Sequence, residues 1–250
     1  MRMRKSTLPG FLFSAILSFL FLQSCINDSY LLEPPPIPDQ SFVEEFDTVQ
    51  NAYNKGWRFI NRSVVLGRRN WQNPNADNYI PFPPYSSYGA GNGYLWADYL
   101  STSSAAGVIS NWAVSPELWM KNGDKIVFYT RTELYSFGGD STDFVNRMQV
   151  RLNPFNTLNC GDGNDPGDFT IPLLDINPFY VEFLVSAFNN LDPDVRKYAY
   201  PHRWTRFEAE VIGLDKPTKG RFAFRYYVEG AGSNGRGSSI GIDSVAYISK

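Results

Sequence analysis

Nucleophilic and metal-based chemistry draws on cysteine, histidine and activated serine, and this sequence is short of the arrangements that supply it. There is one histidine, His202, set between Pro201 and Arg203, and there are two cysteines, Cys25 and Cys160. Cys160 would need a histidine partner to act as a thiolate nucleophile, and His202 is the only candidate. Ser115 has no nucleophile elbow around it, and no GxSxG, HExxH or phosphate-loop pattern occurs. Carboxylates are plentiful, but a glycosidase pair is defined by a gap of roughly 5–9.5 Å across a cleft, which sequence spacing does not give. The residue types therefore predict a chain that binds rather than catalyses.

Two other groups bear on binding. Asp162, Asn164, Asp165 and Asp168 alternate with Gly163 and Gly167 in the manner of a calcium loop. They lack the later glutamate of an EF-hand, so a flexible Gly/Asp loop is the reading. Tyr79, Phe82, Tyr85, Tyr88, Tyr94, Trp96 and Tyr99 crowd a stretch that also holds Pro81, Pro83, Pro84, Gly89, Gly91 and Gly93. On such loops Tyr85, Tyr88, Tyr94 and Trp96 are candidate ligand-binding residues, a platform on which the C–H faces of sugar rings pack. The alternative is that these rings fold inward and cover a sheet. Trp57, Trp112, Trp119 and Trp204 sit beside strand motifs and are predicted to be core.

Cys25 has a different chemistry. Arg2, Arg4 and Lys5 precede an apolar run from Leu8 to Leu22, which is too short for the about 20 residues of a spanning helix and fits a secretory signal. Leu22-Gln23-Ser24-Cys25 then resembles the lipobox of bacterial lipoproteins, with Gln23 in place of the usual small residue. The thiol of Cys25 would carry the acyl chains that anchor the mature protein to the membrane, each buried methylene contributing roughly 0.8 kcal/mol. Residues 26–40, with Pro34-Pro35-Pro36 and Pro38, favour extended polyproline II and read as a semi-rigid spacer. The predicted organisation is a signal peptide at 1–24, a lipidated cysteine and tether at 25–40, and one domain at 41–250. Uncleaved anchoring and plain secretion are the alternatives for the N-terminus.

The elements that must position any site are strands. Lys125–Arg131, Arg147–Leu152, Phe207–Ile212 and Arg221–Val228 are short runs rich in β-branched and aromatic residues, several with period two. Asn122–Asp124, Gly138–Asp140, Lys216–Gly220 and Gly230–Gly237 separate them as turn clusters. Only Tyr180–Asn189 has a helical spacing, a short helix on an insertion. Two packed antiparallel sheets are predicted. Of 23 Lys and Arg, three lie in the leader, so the mature chain carries 20 against 25 Asp and Glu, a net charge of −5. With no basic run, nucleic acid is excluded as a partner. With Cys25 acylated, Cys160 has no disulfide partner.

Four segments in order carry a family resemblance: Phe42–Phe46 with Gly56-Trp57, Asn111–Leu118, Arg147–Leu152, and Gly220–Val228 with Ile240–Val245. Together they resemble the choice-of-anchor J, or cleaved-adhesin, domain family, related in shape to MAM and galactose-binding-like modules. Gly167–Thr170, Leu173–Pro178, Tyr200-Pro201 and Trp204 are similar to a Bacteroidota surface-lipoprotein subgroup, with 181–197 as an insertion. The resemblance implies an all-β jelly-roll sandwich, a place at the outer membrane or cell surface, and a structural calcium joining the first strand to the last. Glu44, Asp47 and Asp243 match the acidic positions, and Ca²⁺ takes 6–8 oxygens, so carbonyls and water would complete the shell. The alternative is that Asp243 caps a loop and Glu44 is solvated. The function expected is a non-catalytic binding or adhesion module, with glycan as a candidate ligand. The alternative is an accessory protein that contacts envelope proteins and takes no small ligand.

Overall fold

Thr218–Ala231 shows how the two-residue alternation becomes structure. Phe222, Phe224, Tyr226 and Val228 face one buried core, and Ala223 on the opposite side joins a second with Trp112, Val114, Cys160 and Phe169. Both faces of this strand are covered, so Arg225, on the Ala223 side against Trp112, is buried as well.

In this computed structural model the described residues are 36–74, 78–86 and 93–250; the predicted signal peptide, Cys25, most of the predicted spacer and Tyr88 lie outside them. The chain divides into two units after Pro38, and the second, Asp39–Lys250, holds every element below. The strands are β1 (Phe42–Glu44), β2 (Arg58–Asn61), β3 (Leu95–Asp98), β4 (Gly107–Val114), β5 (Leu118–Met120), β6 (Lys125–Thr132), β7 (Tyr135–Phe137) and β8 (Asp140–Thr142). They continue with β9 (Met148–Asn153), β10 (Ile171–Ile176), β11 (Thr205–Glu210), β12 (Thr218–Ala231) and β13 (Ser239–Ile248). Two short helices are α1 (Val49–Asn54) and α2 (Pro193–Arg196). One sheet runs β1-β13-β6-β11 with β3 also on β13, and the other runs β10-β9-β12-β4-β2 with β5 also on β12. All of these pairings are antiparallel, and β7 and β8 form a separate hairpin. Successive strands change sheet repeatedly, which is the course of a jelly roll, so the predicted all-β sandwich is the fold observed.

The inner faces meet around Trp57. Its ring packs edge-on to Phe46 and Phe222 with centroids 5.0 and 5.7 Å away, and stacks on Phe224 at 6.5 Å. Each such ring removed from water contributes roughly 1.5–3 kcal/mol.

The structure departs from simple sequence patterning at four places. Uninterrupted alternation along β13 sets Val245 outward with Gly241 and Asp243, yet Val245 lies in the inner core with Ile240 and Ile242. The cause is a bulge: Asp243 pairs with Tyr129 and Ala246 with Val127, so Ser244 and Val245 stand against Phe128 alone, with Ser244 at φ 51°. Tyr180–Asn189 is not an α-helix, because Leu184 bridges Thr142 and Val185 N–H donates to Ser141 O, adding this segment to the edge of the β7–β8 hairpin. A single 3₁₀ turn follows at Phe188–Asn190, and the insertion's α-helix is the four-residue α2. Helix α1 was not predicted; it has one buried residue, Ala52, and is set by the Thr48 cap, whose Oγ1 accepts Asn51 N–H at 3.1 Å. Trp119 is 41% exposed rather than core, since it alternates with Leu118 and Met120, which point inward.

Candidate functional site

Of the predicted aromatic platform, the structure leaves one described residue at the surface. Tyr94 and Trp96 are buried, Tyr94 stacked on Phe82 at 4.9 Å with its hydroxyl donating to Phe82 O at 2.9 Å. The Arg69 guanidinium covers Trp96 at 4.9 Å, so neither ring presents a face to a ligand, which corrects that expectation. The reason is that β3 is covered on both faces, all four of its residues being buried, with β13 paired along one edge and Gln72 bonded to Trp96 along the other. Tyr85 is partly exposed but stacks on Tyr129 at 3.6 Å. Tyr88 lies outside the described residues.

A cleft elsewhere gathers rings that do reach the surface. Its volume is about 760 Å³, and it is lined by Tyr99, Tyr135, Phe137, Phe144 and the glycine loop Gly232–Ser238 apart from Arg236. That size falls within the roughly 300–1,000 Å³ of small-ligand sites. Phe144 is the corner: Tyr135 tilts against it at 5.9 Å and Phe137 meets it edge-on at 5.6 Å. Phe137 is 68% exposed at the rim, next to the Gly138-Gly139 turn of the hairpin.

The backbone beneath is built to hold Phe144 there. Phe144 and Val145 both have left-handed φ, 51° and 61°, a conformation that costs side-chain-bearing residues of order 1–3 kcal/mol. Thr142 Oγ1 accepts Phe144 N–H at 3.0 Å and Asp143 Oδ1 accepts Val145 N–H at 3.0 Å, fixing the turn. Gly237 N–H donates to Phe144 O at 2.6 Å, which ties the glycine loop to the aromatic corner. Gly237 itself is at φ 87°, and a Cβ there would meet Tyr226 Oη at 3.0 Å. Tyr99 N–H donates to Ser238 O at 2.8 Å, joining the remaining wall.

A buried polar network lies under this corner. Asn146 Nδ2 donates to Thr132 Oγ1 and Ser238 Oγ, and its Oδ1 accepts from Tyr226 and from Ser238 N–H. Asp143 also accepts Phe183 N–H at 3.0 Å, while its Oδ2 is buried without a partner. Desolvation pushes the Asp143 carboxyl up to about 6 against these two N–H donors.

The carboxylates expected to hold calcium are divided. Asp243 is buried in the β13 bulge and accepts N–H from Tyr85, Ser86 and Ser244 at 2.8, 3.1 and 2.7 Å, so it caps the 85–86 turn. Burial raises it to about 7, partly offset by these donors, with Glu45 adding repulsion. Glu44 turns to the other side of β1, where it accepts Phe46 N–H at 3.1 Å and pairs with Lys55 Nζ at 3.0 Å. Asp47 is exposed. Glu45 is the carboxylate beside Asp243: its Oε1 accepts from Ser244 Oγ at 3.3 Å, and its Oε2, like Ser86 Oγ, is buried without a partner. Among the described residues no three His, Cys, Asp or Glu are grouped as metal ligands. Two carboxylates and an unpaired hydroxyl are donor types that suit a hard cation, provided carbonyls and water fill the rest.

The groups considered for catalysis have structural partners. Cys160 is buried and its thiol is pushed up to about 12 by desolvation, which keeps it protonated. His202 packs tilted against Phe183 with ring centroids 4.2 Å apart, and burial lowers its pKa. Ser115 Oγ donates to Pro116 O and accepts Phe222 N–H. The Asp162–Asp168 loop is clamped from below by Arg225, which donates to the carbonyls of Gly163 and Asp165.

The missed cleft residues are Tyr135, Phe137 and Phe144. The signal was present as two glycine clusters, Gly138–Asp140 and Gly230–Gly237, which read only as turns.

No family model matches this chain, and no curated protein matches it. Among solved structures, the chain is similar to the K1 cleaved adhesin domain of Lys-gingipain from Porphyromonas gingivalis W83, at 17% identity and a TM-score of 0.48, over 84% of this chain and 99% of that one. It is similar to the K3 cleaved adhesin domain of the same protein at 17% identity and a TM-score of 0.43, over 85% and 100%. It is also similar to TmCBM61, solved in complex with β-1,4-galactotriose, at 8% identity and a TM-score of 0.38, over 83% and 99%. Cleaved adhesin domains are among the solved structures to which this chain is similar.

Proposed function

We propose that this chain is a surface lipoprotein of the choice-of-anchor J type whose β-sandwich is a non-catalytic binding module for carbohydrate. The observation that carries this reading is the cleft walled by Tyr99, Tyr135, Phe137 and Phe144. Aromatic faces pack against the C–H faces of a sugar ring, while the hydroxyls at its edge find Ser233, Asn234 and the backbone of the glycine loop. The strained Phe144 turn and the network beneath it hold the walls without a ligand, so little ordering opposes binding. Cys25 places the module at the outer membrane or cell surface through its lipid, and the proline-rich spacer holds it off the bilayer. A calcium ion at Asp243 and Glu45, with Ser86, would neutralise the facing carboxylates and brace β13 against β1; here Glu45 takes the part expected of Glu44.

A glycan array followed by titration calorimetry tests the reading. Selective binding that is lost in Phe137→Ala, with the melting temperature unchanged, is the expected result. A blank array would favour the accessory reading, which Val185 and Val195 on the insertion and Phe179 and Tyr198 flanking it support by exposing apolar surface.

A further inference from the structure

Resting on the reading of the cleft as a carbohydrate site, we propose that it selects neutral glycans, hexose chains without carboxylate or sulfate, and rejects acidic ones. Every lining residue is uncharged. The glycine loop does contain a cation, Arg236, but its guanidinium lies over the Tyr180 ring at 4.5 Å and it is not among the lining residues. No cation of that loop is therefore aimed at a ligand.

Two carboxylates, Glu133 and Asp143, stand behind the aromatic wall, the first with Arg131 within electrostatic reach. Glu133 lies behind Tyr135: Ser239 Oγ bonds Tyr135 Oη at 3.2 Å and donates to Glu133 Oε2 at 3.4 Å, and Tyr79 holds the other oxygen. Asp143 adjoins Phe144 in sequence and keeps an oxygen without a partner. Neither carboxylate faces an arginine or lysine in an ion pair among those described. An anionic sugar entering this cleft loses its water and meets repulsion across apolar rings, where screening is weak. A neutral hexose meets neither cost.

Calorimetry on the lipid-free domain, with neutral gluco-, galacto- and manno-oligosaccharides and with oligogalacturonates of equal length, tests the selection. Neutral sugars should bind with affinity insensitive to salt, and uronates about tenfold more weakly or not at all. Glu133→Gln should narrow that gap, and Phe137→Ala should abolish the neutral signal. Uronates that bind as well as neutral sugars, with both lost in Phe137→Ala, overturn the charge selection and leave the cleft reading intact. Silence across the panel, or neutral binding that survives Phe137→Ala, overturns the cleft reading and the selection with it.

Discussion

Asp143 is a carboxylate placed where water does not reach, and its raised pKa has a consequence for stability. Its folded value is about 6 against an ordinary 3.8. Below about pH 4 the group is protonated in both states and its contribution is fully favourable. As pH rises through 6, the unfolded chain ionises first and stability is lost, by roughly 3 kcal/mol for a two-unit shift. Asp143→Asn retains the acceptor for Val145 and Phe183 and removes the titration. Urea unfolding should show the variant gaining on the wild type between pH 4 and 7; a constant difference would mean that Asp143 titrates normally. At the rim, Phe137 is exposed, so Phe137→Ala should shift stability by only about 0.5 kcal/mol while removing ligand binding. A large loss of stability on calorimetric melting would instead make Phe137 a packing residue.

At the scale of elements, the bulge in β13 does two things with one extra residue. It aims Asp243 at the 85–86 turn, and it restores Val245 and Tyr247 to the core side after Ile242. Deleting Ser244 leaves those two still on the core side, because the residue removed is the extra one. The deletion should give a folded domain with a lower melting temperature and no response to calcium. Failure to fold would show that pairing with β6 itself needs the bulge. Arg225 does the corresponding work for the Gly/Asp loop: its guanidinium stacks between Trp112 and Tyr227 at 4.7 and 4.0 Å and bonds two loop carbonyls. Arg225→Lys keeps the charge but not the planar fork, and is expected to destabilise by about 2–4 kcal/mol in chemical denaturation. A loss under about 0.5 kcal/mol would show that the loop holds itself.

For the whole molecule, the proposed calcium gives a test that does not depend on the sugar. Thermal unfolding of residues 41–250 should shift upward with calcium relative to chelator, since an ion bound only by the native state adds stability set by its concentration over Kd. Asp243→Ala and Glu45→Gln should each abolish the shift, and an undiminished shift in both would move the ion elsewhere. Cys25→Ser should release the protein from the membrane fraction; a processed form that still sediments with membranes would refute lipidation. The sequence by itself determined the all-β class and most of the strands, because period-two alternation in runs such as Phe222–Val228 is local information. It also bounded the chemistry, through one histidine and a cysteine without a partner. Only the tertiary structure decided the sites. Tyr94 and Trp96 went inward because β3 is covered, while Phe137 and Phe144, inconspicuous in the chain, came together with a loop some ninety residues away. Glu45 rather than Glu44 reached Asp243 because a strand sends neighbouring side chains to opposite faces, and no single sequence says which face will meet the bulge.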